Sequence, residues 1–245
     1  MSSEPAESTE FWNGFMPTNP PITRLPSEWE SWEAVLEVAM NDGLQLGNRL
    51  GITEEEKQTS ERWRLRVREL PIITKPQDPE HIHRVRLVLV WILHFYVHTL
   101  PPQSDSEPVR IPPSLSVPLL QISKTTDQPP VLTYADGVIL NSYLDATHNE
   151  PKCLFLFNKG PRSAYEQAFH LTSAQVEWEG AKAMRVVHDI VTSSADTQTL
   201  ASQLETLTTH IHTLHETLLF YQEDLRSGLL LQLCSTLVGW WDLGI

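Results

Sequence analysis

The stretch LVLVWILHFYV, residues 87–97, is the most apolar part of the sequence, and the rest of the chain is expected to fold around it. Apolar side chains occupy every side of a helix with this sequence, which predicts a helix buried nearly all round. A helix that crosses a bilayer needs about 20 apolar residues, so this shorter stretch predicts a core helix and no membrane span. We place the helix at residues 78–99, because Pro101 and Pro102 stop it.

The segments before this core helix predict two more helices. Ser27 has the residue type of an N-cap and precedes a segment with apolar residues at helical spacing. Thr53, followed by Glu56 three residues later, has the spacing of a capping box and predicts a helix through about Leu70. The prolines among residues 1–27 predict an extended N-terminal arm ahead of both helices.

The region after the core helix has a less regular pattern. Residues 101–131 are rich in proline and predict a loop with at most a short helical turn. Residues from Tyr134 to Leu144 predict another helix, and the apolar run CLFLF (153–157) predicts a strand or an irregular segment. This region therefore links the first helices to the C-terminal part of the chain.

The C-terminal part of the sequence predicts long helices. Residues 163–195 are rich in alanine and predict one helix. Leucine and isoleucine then recur at alternating intervals of four and three, an amphipathic pattern close to a heptad repeat. The residues of this leucine stripe are Leu200, Leu204, Leu207, Ile211, Leu214 and Leu218. Gly228 predicts a break, followed by a last apolar helix to Trp241.

These elements together predict an all-α protein in two helical parts. Residues 1–27 form the arm, residues 28–150 form a small N-terminal helical domain, and residues 151–245 form the beginning of a larger helical domain. A chain of 245 residues has room for such a division.

The overall composition excludes several classes of protein. Hydrophobic residues make up 40% and charged residues 20% of the chain, which is typical of a globular protein. The formal net charge of −13 would repel a phosphate backbone, so we expect no nucleic-acid partner. The N-terminal MSSEPAESTE lacks the apolar segment of a signal peptide, and two cysteines are too few for a disulfide framework. We therefore expect a cytoplasmic protein with packed, reduced thiols and no membrane association.

The ten histidines of the sequence do not form a metal-binding pattern. His94 and His98 have the spacing of a metal pair, but they lie in the predicted core helix without a third ligand, so we interpret them as core or helix-end residues. His210, His212 and His215 are clustered among threonines, which indicates a solvated helix face opposite the leucine stripe. His212 and His215 share a side of this helix, while His210 points elsewhere. The sequence also lacks the dinucleotide, P-loop, zinc-protease and C-x-x-C motifs, so we predict no metal ligands.

Several blocks of the sequence resemble one known family in the same order. The first is PPVLTYADGVILNSY (129–143), preceded by IPPSLSVPLLQIS (111–123). The others are GFMPTNPPITRLPSEWESWE (14–33), RWRLRVRELPII (62–73), RVRLVLVWILHFYVH (84–98), CLFLFNKGPRSAYEQAFHLTSAQVEWEGAKAMRVV (153–187) and LVGWW (237–241). In this order, over residues 14–241, they resemble the indoleamine 2,3-dioxygenase family.

The resemblance implies a fold, a cofactor and a reaction. Members of that family are monomeric haem proteins in which haem b lies between a small and a large helical domain. They open the indole ring of tryptophan with dioxygen and release N-formylkynurenine. The resemblance therefore implies a haem-dependent dioxygenase whose partners are dioxygen and tryptophan or a related indole.

The resemblance also implies a set of site residues. By position, Tyr134, Phe169 and Ser173 match the family's distal-pocket residues. An indole favours an aromatic face such as Phe169, and Ser173 could supply one hydroxyl to a mostly dry pocket. A purely structural role stays open, because Phe169 and Ser173 are four residues apart and share a helix face whatever the function. Tyr134 could equally pack beneath the proline-rich loop, and His170 could be a polar residue at the helix surface or approach the pocket.

The sequence departs from the family pattern at its C-terminal end. The family's proximal histidine, and the arginine that binds the substrate carboxylate, lie beyond the point that corresponds to Ile245. A haem iron needs an axial ligand, and a bound amino acid needs a charged donor for its carboxylate. Three functions stay open at this point. The first is a dioxygenase that is inactive alone, whose C-terminal part is either missing from the sequence or supplied by a second chain. The second is a non-catalytic helical module that has lost haem and binds a helical partner through the leucine stripe. The third is a protein that binds a small molecule in the remaining pocket, with different chemistry and no haem.

Overall fold

The computed structural model describes residues 16–17, 20–73, 79–102, 108–145 and 150–226. Within these residues the chain is mainly helical, which confirms the all-α prediction. The helices are α1 (Glu30–Asp42), α2 (Glu54–Glu69), α3 (Ile82–His98), α4 (Pro113–Thr126), α5 (Pro161–Thr192) and α6 (Thr197–Arg226). Two short strands, β1 (Ser142–Leu144) and β2 (Pro151–Cys153), pair with each other. None of the described helices is long and apolar enough to span a membrane.

Helix α3 lies at the centre of the main core. All of its side chains from Arg84 to Ile92 are buried, which confirms the prediction made from its apolar sequence. Helices α1 and α4 pack against α3, and α2 packs against both α1 and α4. The large side chains of Trp29, Trp32 and Trp63 are buried in the same core, so the first four helices share one apolar interior.

The starts of α1 and α2 tested two predictions about helix caps. The capping box of α2 is confirmed: Thr53 Oγ1 accepts a hydrogen bond from the Glu56 backbone N–H at 3.2 Å, and Glu56 Oε2 accepts one from the Thr53 N–H at 2.8 Å. The prediction of Ser27 as an N-cap is wrong. Ser27 begins a 3-10 turn that ends at Trp29, whose N–H bonds to the Pro26 carbonyl at 2.8 Å.

Helix α4 contradicts the prediction of a loop over residues 101–131. It begins with Pro113, and a proline is tolerated there because the N–H groups of the first helical turn have no partner within the helix. It also contains Pro118, which has no N–H to donate to the carbonyl four residues earlier. That carbonyl belongs to Ser114, and it accepts a hydrogen bond from Trp32 Nε1 of α1 at 3.4 Å. The neighbouring helix therefore supplies the donor that the proline lacks, and the proline-rich sequence stays helical.

The segment from Tyr134 to Leu144 also differs from the predicted helix. It forms a π-helical turn over Ala135–Ile139 and then strand β1, in which Ser142 pairs with Cys153 of β2. Asn141 ends the helical part because its side chain bonds to the Phe155 backbone in both directions, at 3.0 Å and 2.8 Å. The run CLFLF, predicted as a strand or an irregular segment, is irregular after Cys153.

Helices α5 and α6 form a hairpin joined by residues 193–196. The prediction of one helix over residues 163–195 is confirmed by α5, although the helix ends at Thr192. Asp196 accepts a hydrogen bond from the Thr199 N–H at 2.8 Å and so begins α6. The predicted break at Gly228 and the predicted last helix to Trp241 lie outside the described residues.

Helix α6 presents two different sides. One row of residues along α6 is partly buried and contains both polar and apolar types. Its members recur at helical spacing and are Gln203, Leu207, His210, Leu214 and Thr217. The other members of the leucine stripe face outward, and the side chains of Leu204, Ile211 and Leu218 are 48%, 55% and 53% exposed. The heptad pattern predicted the helix, but it could not indicate which of two adjacent rows would contact α5.

Candidate functional site

A buried ion pair fixes the segment that carries Tyr134. Arg86 of α3 donates from Nε to Asp136 Oδ1 at 2.9 Å and from Nη2 to Asp136 Oδ2 at 2.8 Å, and neither side chain is exposed to solvent. Asp136 Oδ2 also accepts hydrogen bonds from the Thr133 N–H at 2.9 Å and the Thr133 hydroxyl at 2.7 Å. The carboxylate is therefore well satisfied, and it holds the start of the π-helical turn against α3.

The π-helical turn also packs on the middle of α5. Val138, Ile139 and Ala174 form a small apolar cluster with Met16 of the N-terminal arm, and Trp178 packs against it. The backbone of the turn is held by a hydrogen bond from the Leu140 N–H to the Ala135 carbonyl at 2.7 Å. Residues before and after Tyr134 are thus anchored on two different helices.

Tyr134 lies over the same side of α5 as the other two predicted site residues. Its hydroxyl donates to Glu177 Oε1 at 2.9 Å, while its ring stays partly exposed. Burial and this hydrogen bond raise the pKa of Tyr134 to about 12, so the phenol keeps its proton at neutral pH. Phe169, Ser173 and Glu177 follow at intervals of four on α5, and such residues share one side of a helix. The structure therefore brings Tyr134, Phe169 and Ser173 to one side of α5.

His170 and Glu166 occupy the adjacent, fully buried side of α5. Glu166 accepts hydrogen bonds from the Phe157 N–H at 2.6 Å and the Asn158 N–H at 2.7 Å, so it holds the chain after β2 against the helix. His170 Nε2 lies 3.6 Å from Glu166 Oε1, and its ring centroid lies 6.4 Å from that of Trp91. His170 is therefore not the surface residue that the sequence left open as one alternative.

His94 and His98 of α3 are a core residue and a helix-end residue, as the sequence predicted. The rings of His94 and His98 lie 4.3 Å apart, and His94 also contacts Phe157 with 4.7 Å between ring centroids. Burial lowers the pKa of His98 to about 4, because the charged form would be poorly solvated there. The two rings therefore pack against each other, and His94 also packs against the core.

Acid is expected to destabilise the protein through His98. Its pKa in the folded state lies below the ordinary value of 6.5, so the unfolded chain binds more protons between about pH 4 and pH 6.5. The free energy of unfolding should therefore fall as the pH drops through this range. Urea unfolding at several pH values gives the free energy of unfolding as a function of pH. The slope of this curve should be shallower for His98→Gln than for the unmodified protein. The same change at the exposed His212 should leave the slope as it is, and equal slopes for all three proteins would contradict the prediction.

The histidines of α6 divide between two environments. His210 lies between the helices, with Nδ1 2.6 Å from Glu179 Oε1 of α5, so it points away from the other two histidines, as predicted. His212 and His215 are exposed, as predicted. No three His, Cys, Asp or Glu side chains in the described ranges are arranged to hold a metal ion.

The first of the two cysteines is a packed thiol in the described part of the chain. Cys153 lies at the end of β2 without a disulfide partner, and burial raises its pKa to about 12. A thiol with so high a pKa stays protonated at neutral pH and is a poor nucleophile. This agrees with the predicted packed thiol, while Cys234 lies outside the described residues.

Sequence reasoning missed the two buried carboxylates that position the site. Asp136 was not among the predicted site residues, although Thr133 and Asp136 have the three-residue spacing of a local contact between a side chain and the backbone. Arg86 could have been noticed as a charged residue within the apolar core helix, where charges are rare unless paired. No local pattern marks Glu166, whose partners are Phe157 and Asn158 in the preceding irregular segment.

The site residues suit one side of a haem group. Phe169 offers an aromatic face and Ser173 a hydroxyl, while the Tyr134 hydroxyl is protonated and bonded to Glu177, so none of the three would occupy the position where dioxygen binds iron. The Tyr134 hydroxyl is already held by its hydrogen bond to Glu177. The donor set therefore fits the substrate side of haem, and it assigns no axial ligand.

Comparison with known proteins identifies the family. The family model for indoleamine 2,3-dioxygenase matches residues 9–228, which is most of the sequence and includes Tyr134, Phe169 and Ser173. No curated protein matches the chain. The matched family consists of haem-dependent dioxygenases that act on tryptophan-like indoles. By this match, the chain belongs to the indoleamine 2,3-dioxygenase family.

Proposed function

We propose that this protein is a haem-dependent dioxygenase that opens the indole ring of tryptophan or a related indole and gives a product of the N-formylkynurenine type. The proposal is supported by the hydrogen bond from Tyr134 to Glu177, which follows Phe169 and Ser173 along one side of α5, within the residues that match the family. An aromatic face and a hydroxyl on a partly buried helix side are what an indole and dioxygen require.

Each of the three residues has a distinct role in this proposal. Phe169 stacks against the indole ring, and the Ser173 hydroxyl supplies one hydrogen bond in an otherwise apolar pocket. Tyr134 covers the site from the π-helical turn, and its bond to Glu177 keeps its ring in place. Haem b, when bound, supplies the dioxygen chemistry, and the protein supplies orientation and exclusion of water.

The proposal extends to the organisation of the chain. We place the division between the small helical domain, residues 28–150, and the large one, residues 151–245, close to the β1–β2 ribbon, with the arm of residues 1–27 in front. The reaction uses dioxygen and an intracellular amino acid, so we infer a cytoplasmic location. A second chain that completes the site is not part of this proposal.

The test is haem titration of the purified chain, followed by addition of L-tryptophan. A Soret band that shifts with tryptophan, and N-formylkynurenine formation after reduction, are expected. Phe169→Leu keeps a side chain of similar size but loses the aromatic face, so the affinity for tryptophan should fall about threefold to tenfold. Phe169→Tyr, which keeps the ring, should retain the affinity. A Soret band that stays that of free haem at all protein concentrations would refute the proposal.

A second candidate function, a non-catalytic helical binding module, is favoured by the outward row of α6. Leu204, Ile211 and Leu218 are about half exposed, and their spacing of seven places them on one line along the helix. Under this function the chain would bind an amphipathic helix through that row. Light scattering that shows a monomer at every concentration, together with no binding to amphipathic helical peptides, would exclude it.

A further inference from the structure

The carboxylate of Glu177 differs from the other buried or partly buried carboxylates of α5. Glu166 is bonded to two backbone N–H groups, and Glu179 is paired with His210 of α6 at 2.6 Å. Among the described residues, Glu177 has no ion pair, and its one hydrogen bond is the bond that Oε1 accepts from the Tyr134 hydroxyl at 2.9 Å. No cation in the described part of the chain therefore balances the charge of Glu177.

The Glu177 carboxylate is accessible to a ligand. The residue is only partly buried, so a molecule from solvent can reach it without an opening in the core. A carboxylate has about four positions that accept a hydrogen bond, and the Tyr134 hydroxyl occupies one of them. The group that best fills the other positions is a cation that donates hydrogen bonds, such as an ammonium group.

The position of Glu177 on α5 suits the charged end of a ligand bound beside it. Phe169, Ser173 and Glu177 follow at intervals of four, so each lies about 6 Å from the next along the helix axis. Helical side chains lean toward the N-terminus, so the Glu177 side chain extends over the turn that carries Ser173. An indole stacked on Phe169, with its C3 side chain directed toward Ser173, would therefore bring an amine on that side chain to the Glu177 carboxylate.

We propose that Glu177 is a specificity-determining residue, whose carboxylate pairs with the protonated amine on the C3 side chain of the bound indole. This inference rests on the proposed function and names the residue that selects indoles with such an amine over indoles without one. Oε1 holds the Tyr134 hydroxyl, and Oε2 is the oxygen for the ammonium group. Because Glu177 is partly shielded from water, this pair should affect affinity more than an ion pair at the surface would.

The test uses two pairs of ligands that differ only in the ammonium group: L-tryptophan with indole-3-propionate, and tryptamine with 3-ethylindole. Affinities for the full chain are measured by calorimetry, with and without added haem. In each pair, the ligand with the ammonium group should bind at least about tenfold more tightly. Glu177→Gln keeps an oxygen for the Tyr134 hydroxyl but carries no charge. It should reduce the difference within each pair to less than about threefold and change the affinity for 3-ethylindole by less than about threefold.

Two control variants separate the charge of Glu177 from its contact with Tyr134. Tyr134→Phe removes the hydrogen bond but keeps the carboxylate, so the preference for the ammonium group should remain even if all four ligands bind more weakly. Glu205→Gln on the exposed side of α6 removes the same charge elsewhere and should leave every affinity unchanged. If Glu177→Gln does not fold, Glu177→Ala takes its place, because a partly exposed helix position accepts alanine.

The outcomes distinguish this inference from the proposed function. Equal binding within both ligand pairs, or a preference that survives the loss of charge at position 177, would overturn the role of Glu177. Either result would leave the proposed function intact, because the Soret band and N-formylkynurenine formation test that function separately. No binding of any of the four indoles would overturn both.

Discussion

Arg86→Leu is expected to lower the free energy of unfolding by about 3–5 kcal/mol, because it leaves the carboxylate of Asp136 buried without its counter-charge. Both side chains are fully buried, and the two bonds between them are 2.9 Å and 2.8 Å long. Thr133 alone cannot compensate a full negative charge in that environment. Urea unfolding followed by circular dichroism measures the loss.

The control for this prediction has the same chemistry at the surface. Arg24 also forms a two-bond contact with a carboxylate, that of Glu30, but both side chains are about half exposed, at 46% and 50%. Arg24→Leu should therefore change the stability far less than Arg86→Leu, because water replaces the lost partner. Equal losses of unfolding free energy for the two variants would contradict the prediction, because they would show that the effect of Arg86 on stability does not depend on burial of the ion pair. The double variant Arg86→Leu with Asp136→Leu should recover much of the stability, since no charge stays buried.

Trp91→Ala is expected to cost about 3–5 kcal/mol, the typical loss for deletion of a large buried aromatic side chain. The indole ring is fully buried and stacks on Phe157 with 4.0 Å between centroids and 15° between planes. It also contacts Phe155, at 5.5 Å, and so joins α3 to the irregular segment after β2. Its removal would leave a cavity between the main core and α5, which the surrounding helices can fill only in part.

Trp91→Phe is the matched variant for this prediction. It keeps a stacking ring but loses the weak 3.4 Å hydrogen bond from Nε1 to the Asp136 carbonyl, so it should cost much less than the alanine variant. Thermal unfolding of both variants at one pH compares the two losses. A loss for Trp91→Phe as large as that for Trp91→Ala would assign the effect to the hydrogen bond and contradict the cavity argument.

Local sequence signals predicted the elements that depend on neighbouring residues. The capping box at Thr53 and Glu56, the apolar helix α3 and the long helix α5 were all predicted, because caps and continuous apolar runs act within a few residues of the chain. The same reasoning placed Phe169 and Ser173 on one side of a helix. Their roles in binding stay a prediction, since geometry alone does not test them.

Elements that depend on distant residues were not predicted. The helical state of α4 needs Trp32, which lies in another helix, and the strand after Asn141 needs the backbone of Phe155. The position of Tyr134 depends on Arg86, which lies far from it in the chain. A pattern within one segment cannot reveal a partner in another, so these tertiary hydrogen bonds overrode the local preferences.

The hydrogen bond between Trp32 and α4 has an evolutionary consequence. Since Pro118 leaves the Ser114 carbonyl without a donor of its own helix, substitutions at positions 32 and 118 are expected to be coupled. A lineage that first replaces the proline by an ordinary residue regains the helical bond and no longer depends on the indole N–H at position 32. Loss of that donor should therefore cost less after the proline has been replaced than before.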